Sequence, residues 1–193
     1  MLINITTIAL IGDSLTAGYR NHPTYAQNLK LDNTKFRIGT FAKGGTTVIE
    51  GGDMSFWNFP AYKNSIKFKP DIIVVTFGLN ALLKSNRKML NTRFVSDFVR
   101  LIRSYNCKYS IICTPLPVTK NIWGLYDSDV RQYILPLYKN IALKTNSTII
   151  DFHEKLNTTS VALTFDGVHP NIYATRIMAR EVENIIKSLS HIH

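Results

Sequence analysis

The chain has 193 residues, is 45% apolar and carries 23 Lys and Arg against 13 Asp and Glu, a formal charge of +10. That length suits one ordinary domain spanning residues 1–193, and that apolar share excludes a disordered chain and allows a substantial core without disulfide staples. The charge is open to an acidic partner, whether nucleic acid, an anionic membrane or an anionic sugar, but the cations lie scattered in short groups such as Lys63, Lys67 and Lys69, and the lack of a basic helix or aromatic-basic stripe excludes nucleic acid.

Apolar runs bounded by breakers recur along the chain. Residues Met1 to Ile11 show no basic leader region and no small-residue cleavage site, so the compartment is cytoplasmic, or secreted if a leader was removed. Thr7–Ile11 ends at Gly12 and predicts a first strand. Phe36–Phe41 is a second, weaker one. Thr46 to Lys69 holds Gly51, Gly52, Trp57 and Pro60 and predicts a long loop with one short helix. Asp71–Phe77 is β-branched, continuous and flanked by Pro70 and Gly78, as suits a strand buried on both faces.

The longest apolar stretch, Ile72 to Leu83, is broken by Thr76, Gly78 and Asn80. It falls short of the roughly 18 residues a membrane helix needs, so no integral membrane contact is expected. Phe94, Phe98, Leu101 and Ile102 repeat at helical spacing. Tyr109–Cys113 predicts strand four. Val130, Ile134, Leu137, Ile141 and Leu143 predict a helix kinked at Pro136. Thr148–Phe152 predicts strand five, and Ile172 to Leu189 a closing helix. Strands alternating with helices imply an α/β fold, a parallel sheet with helices on both sides.

Cys107 and Cys113, the two cysteines, lack metal-type spacing and read as core thiols, so neither a disulfide framework nor a metal site is expected. The sequons at Asn4, Asn146 and Asn157 are what an Asn- and Thr-rich chain gives by chance. His22, His153, His191 and His193 read as surface residues.

In open parallel sheets, sites form at the carboxyl ends of the strands. Four groups sit there: Gly12-Asp13-Ser14-Leu15, Gly44-Gly45-Thr46-Thr47, Gly78-Leu79-Asn80, and Asp166-Gly167-Val168-His169-Pro170. Ser14 follows a strand and opens a helix, which exposes its hydroxyl at a sharp turn. A serine needs a base within hydrogen-bond reach, and His169 supplies one. Asp166, three residues earlier, can accept from imidazole Nδ1–H and leave Nε2 facing Ser14. The amides of Ser14 and Gly45 and the Asn80 side chain are candidate oxyanion donors. Gly44 is an alternative to Gly45. Asp13, Thr47 and Trp57 are candidate substrate contacts, with Trp57, Phe56 and Tyr62 equally readable as core. The chemistry calls for no cofactor and no metal.

These residues resemble the SGNH (GDSL-type) hydrolases, whose four signature residues match Ser14, Gly45, Asn80 and His169. The likeness runs over almost the whole chain, from IALIGDSLTAGY through FAKGGTTVIEGGDMSFWNFPAYKNSIKFKPDIIVVTFGLN and ICTPLPV to TFDGVHPNIYATRIMA. It implies a flavodoxin-like three-layer α/β/α sandwich with a five-stranded parallel sheet, and hydrolysis of an ester through an acyl-enzyme. The Gly-Gly…Trp…Pro-Ala-Tyr stretch looks closest to the carbohydrate-esterase branch, including sialate O-acetylesterase-like proteins. That implies a small-molecule or carbohydrate ester substrate, with acetyl as the acyl group. A lysophospholipid or other lipid ester is the alternative on the same triad. Two positions depart from the family pattern. Ala81 stands where an Asp usually supports the block-three Asn, which implies a less firmly held Asn80 and favours a third possibility, a non-catalytic binding domain. Thr40 stands near the Asn that often opens block two.

Overall fold

The computed structural model describes residues 5–157 and 163–190. Asn4, His191 and His193 lie outside them, and the sequon at Asn157 runs into undescribed residues. The strands are β1 (Thr6–Gly12), β2 (Phe36–Ala42), β3 (Ile72–Thr76), β4 (Tyr109–Cys113) and β5 (Thr148–Ile150). They form one all-parallel sheet in the order β2-β1-β3-β4-β5. The helices are α1 (Ser14–Ala17), α2 (Pro60–Lys67), α3 (Lys84–Arg87), α4 (Leu90–Arg103), α5 (Asp127–Asp129), α6 (Leu135–Thr145), α7 (Phe152–Asn157) and α8 (Ile172–Ser190). This is the α/β fold with five parallel strands that the pattern predicted, and its strand order is the flavodoxin-like one.

The pleat of the sheet sorts the core into two halves. Ala9 and Ile11 of β1, Ile73 and Val75 of β3 and Ile112 of β4 face one side, where Phe94, Phe98 and Leu101 of α4 and Tyr138 and Ile141 of α6 cover them. Their sequence neighbours Ile8, Leu10, Ile72, Val74 and Ile111 face the other side, against Ala174, Met178, Val182 and Ile186 of α8. β3 is buried at every residue, which is why its sequence shows no polar alternation. Each such aliphatic side chain contributes roughly 1.5–3 kcal/mol on leaving water. The edge strand β2 is more exposed, which accounts for its weak pattern.

Four local readings change, the first being that strand five stops at Ile150 and Phe152 opens α7 instead of ending the strand. The segment ahead of β5 has no simple kink: a π-helical turn, Val130–Ile134, runs into α6, and Pro136 sits in the first turn of α6. Proline is tolerated there because its missing N–H falls where no intrahelical partner exists, and the wider turn upstream takes up the misfit. The Thr46–Lys69 loop contains a 3-10 turn, Phe56–Asn58, besides α2. His153 is buried rather than on the surface. Both cysteines are free. Cys113 is buried in β4, which pushes its thiol up to about 12, while Cys107 is only half-buried.

Chain order makes β1 the switch point. The chain leaves β1 for β2 on one side and then crosses to β3 on the other, so the loops after β1 and β3 diverge and leave a crevice between them. The strand ends are held closely. Asp13 N–H donates to Thr76 O at 3.3 Å, and a Cβ at Gly12 would stand 2.6 Å from that same carbonyl and 2.4 Å from Thr16 Oγ1. Gly12→Ala is therefore expected to cost about 1–3 kcal/mol, read as a lower midpoint in urea denaturation, because a backbone carbonyl cannot step aside. A variant as stable as the parent would contradict this close approach.

Candidate active site

Ser14 is the first residue of α1, whose preceding residue Asp13 caps it by accepting from Leu15 N–H at 3.0 Å. α1 is only one turn, so the Ser14 amide acts as a local donor and not as the end of a long helix dipole. His169 Nε2 lies 2.9 Å from Ser14 Oγ, and His169 Nδ1 lies 2.8 Å from Asp166 Oδ2. The Asp166 turn explains that alignment. Asp166 Oδ1 accepts from the amides of Val168 at 3.0 Å and His169 at 2.8 Å, so one carboxylate shapes the backbone and holds the ring. Gly167 permits the turn with φ +105°, and a Cβ there would stand 2.6 Å from Lys120 Cβ and 2.7 Å from its carbonyl. Burial pushes the Asp166 carboxyl up, but its bonds from the His169 amide and ring and the Val168 amide prevail and hold it below the ordinary value.

Gly45 and Asn80 meet at the same rim. Gly45 has φ +80°, a conformation that favours glycine, whereas Gly44 does not need it. Both line the cavity with Ser14 and His169. The amides of Ser14 and Gly45 donate to nothing else among the described residues. Asn80 Nδ2 donates to Asp13 Oδ2 at 3.2 Å and to Thr46 O at 3.0 Å. Ala81 does not leave Asn80 loose. Buried Asn86 donates to Asn80 O at 2.9 Å and accepts from Asp53 N–H at 2.7 Å, so it ties Asn80 to the Gly51–Asp53 turn.

The three candidate substrate contacts fare differently. Asp13 borders the cavity, but its carboxylate is spent on Leu15 and Asn80. Thr47 is buried and accepts from Ile49 N–H at 3.3 Å; it pins its own loop and stays outside the cavity lining. Trp57 also lies outside that lining. Its indole donates to Val48 O at 2.7 Å, and Arg100 covers its ring at 4.4 Å, so it is packing rather than pocket.

The cavity, about 390 Å³, is walled by Leu79, Leu83, Leu125, Val168, Tyr19 and Trp123. Tyr19 stacks on His169 with centroids 4.1 Å apart, and Trp123 meets the same ring edge-on at 5.8 Å. Sequence reasoning passed over Tyr19, Trp123 and Asn86, since no periodicity marks them. The Trp123-Gly124 pair was the one available signal, a turn in which both residues have positive φ.

The model of the GDSL-like lipase/acylhydrolase family matches residues 10–176. The chain belongs to this family. It is similar to a curated acetylxylan esterase of Xylanibacter ruminicola at 24% identity over 93% of the chain. The chain spans only 43% of that relative's length. Among solved structures, it resembles an acetylxylan esterase from Geobacillus stearothermophilus (TM-score 0.68, 24% identity, 96% of each chain covered). It also resembles a lipase/acylhydrolase from Enterococcus faecalis (TM-score 0.76, 18% identity, 95% and 96% covered). These likenesses establish the sandwich fold.

Asp13 is fully buried beside the site, and burial pushes its carboxyl up from 3.8 to about 7, against the bonds from Leu15 and Asn80. Because the folded value is raised, the stability this group contributes is full below about pH 4 and is lost as pH rises towards about 7. The melting temperature of Asp13→Asn relative to wild type is therefore expected to climb between those two pH values and then level. A difference independent of pH would mean that Asp13 is ionised in the fold at no cost.

Proposed function

We propose that the chain is a serine esterase that removes a small acyl group, acetyl by preference, from a carbohydrate. The observation that carries the chemistry is the continuous Asp166–His169–Ser14 relay, with hydrogen bonds of 2.8 and 2.9 Å, at the open end of the sheet. His169 Nε2 takes the Ser14 proton as Oγ attacks the ester carbonyl, then delivers it to the departing sugar hydroxyl. Asp166 keeps Nδ1 protonated and stabilises the imidazolium. Water, deprotonated by the same nitrogen, then hydrolyses the acyl-Ser14. The Ser14 and Gly45 amides meet the oxyanion. Asn80 adds a third donor by sharing the proton that now faces Asp13, the longer of its two bonds. Each well-placed donor lowers the barrier by about 3 kcal/mol. The names of the acetylxylan esterases among the relatives support the acetyl and carbohydrate parts.

Ser14→Ala is expected to keep the far-ultraviolet circular dichroism of the parent and to lose at least about a thousandfold in kcat on p-nitrophenyl acetate. Unchanged hydrolysis would remove Ser14 from the mechanism. Labelling of wild type by a fluorophosphonate, absent in Ser14→Ala, separates an enzyme from a binding domain that merely keeps the fold.

One observation favours a second substrate, a lipid ester. The cavity, about 390 Å³ and walled mainly by Leu, Val and aromatic side chains, exceeds what an acetyl group fills and lies within the roughly 300–1,000 Å³ of ordinary ligand pockets. A p-nitrophenyl ester series decides between them. Carbohydrate deacetylation predicts that kcat/KM falls beyond butyryl, and a rise to octanoyl would favour the lipid ester.

A further inference from the structure

Beside the catalytic cavity lies a second concavity of about 440 Å³, built from residues 17–27. Tyr19 belongs to both, and its ring is the one stacked on His169. His169 is the group that protonates the departing alcohol, and Tyr19, packed on its ring, lies where the two concavities meet.

The chemistry of the second concavity differs from that of the first. Asn21, His22, Thr24 and Gln27 line it with amide, imidazole and hydroxyl groups, which suit the hydroxyls of a sugar. Gln27 Oε1 accepts from Thr24 N–H at 2.8 Å, which orients its amide and leaves the NH2 protons unengaged. Arg20 and Asn21 are consecutive non-glycine residues in the left-handed region, with φ of 49° and 62°. Such a backbone conformation in a non-glycine pair persists where the surroundings enforce it. The Arg20 guanidinium stands over the Tyr19 ring at 5.2 Å.

Arg20, like Arg37, Arg103 and Arg176, pairs with no carboxylate among the described residues, but it is the arginine that lines this concavity.

We propose that the 17–27 concavity is the subsite for the sugar, and that Arg20 makes it select acetylated oligosaccharides carrying a carboxylate, that is, uronic-acid substituents. This rests on the carbohydrate reading above and adds a charge preference to it. An anionic membrane would present the same charge. Arg20, however, lines a concave groove of groups that bond hydroxyls rather than a flat apolar face, which favours the sugar.

The test compares kcat/KM for acetyl release from acetylated xylo-oligosaccharides with and without a uronic acid substituent. The ratio within each enzyme cancels any loss of folded protein. Wild type is expected to favour the acidic sugar by about fivefold, the scale of one partly exposed ion pair. Arg20→Gln brings the ratio near one, Arg20→Lys restores most of it, and added salt erodes it. A wild-type ratio of one, or a ratio unchanged by Arg20→Gln, overturns the subsite and leaves the esterase assignment standing. Hydrolysis of p-nitrophenyl acetate with no acetyl release from either sugar fails the carbohydrate reading and the subsite together. Arg20-dependent binding to phosphatidylglycerol vesicles, without preference between the sugars, replaces the sugar by a membrane.

Discussion

The Ser14–His169 hydrogen bond joins residues 155 positions apart at 2.9 Å, and the rest of the site is arranged to make that contact hold. Ser14 is carried by the end of β1, the strand on which the sheet reverses direction. His169 is carried by a turn with no strand beneath it, so its position must come from bonds within the loop. Asp166 supplies them with two backbone acceptances and one to the ring. A group that orients the base thus also folds the loop that presents it.

The segment between β4 and α5 closes this loop from outside. Thr119 N–H donates to Gly167 O at 2.9 Å, and the Thr119 and Thr164 hydroxyls bond each other. The base of the segment is fixed by a buried polar chain. Asp127 accepts from Val118 N–H at 2.9 Å and pairs with His153 Nε2 at 2.9 Å, while Thr114 donates to Asp151 at 2.9 Å and accepts from His153 N–H. Burial pushes Asp127 up, but its bonds from Arg131, Val118 and His153 hold it below the ordinary value. This second Asp–His pair is structural: it anchors the segment whose Trp123 and Leu125 wall the cavity.

The Asn80 side of the site is built differently. A family position that usually carries Asp is Ala81 here, and its supporting role is met by Asn86 from the next helix. Asp13 stands between the two halves, capping α1 and holding Asn80. A buried carboxyl in that place links the charge state of the site to the stability of the fold, since removing its proton costs free energy that water would otherwise supply.

Much was legible in the sequence because it is written in local terms. β3 shows in its unbroken β-branched run, α4 and α8 in their helical spacing, and the α/β class in their alternation. Ser14, Gly45, Asn80, Asp166 and His169 were nameable because short turns at strand ends have characteristic residues. Whether Trp57 and Thr47 face the cavity was not legible, because an aromatic or hydroxyl side chain in a loop carries no mark of which way the loop folds. The π-turn before Pro136 escaped for a related reason, since proline reports strain but not where the chain absorbs it. The sequence by itself determined the strands, the helices and the chemically capable residues, because those depend on neighbours a few positions away. Only the tertiary structure decided that Tyr19, Trp123, Asn86 and Arg20 belong beside them, because contacts between loops from different strands depend on the path of the whole sheet.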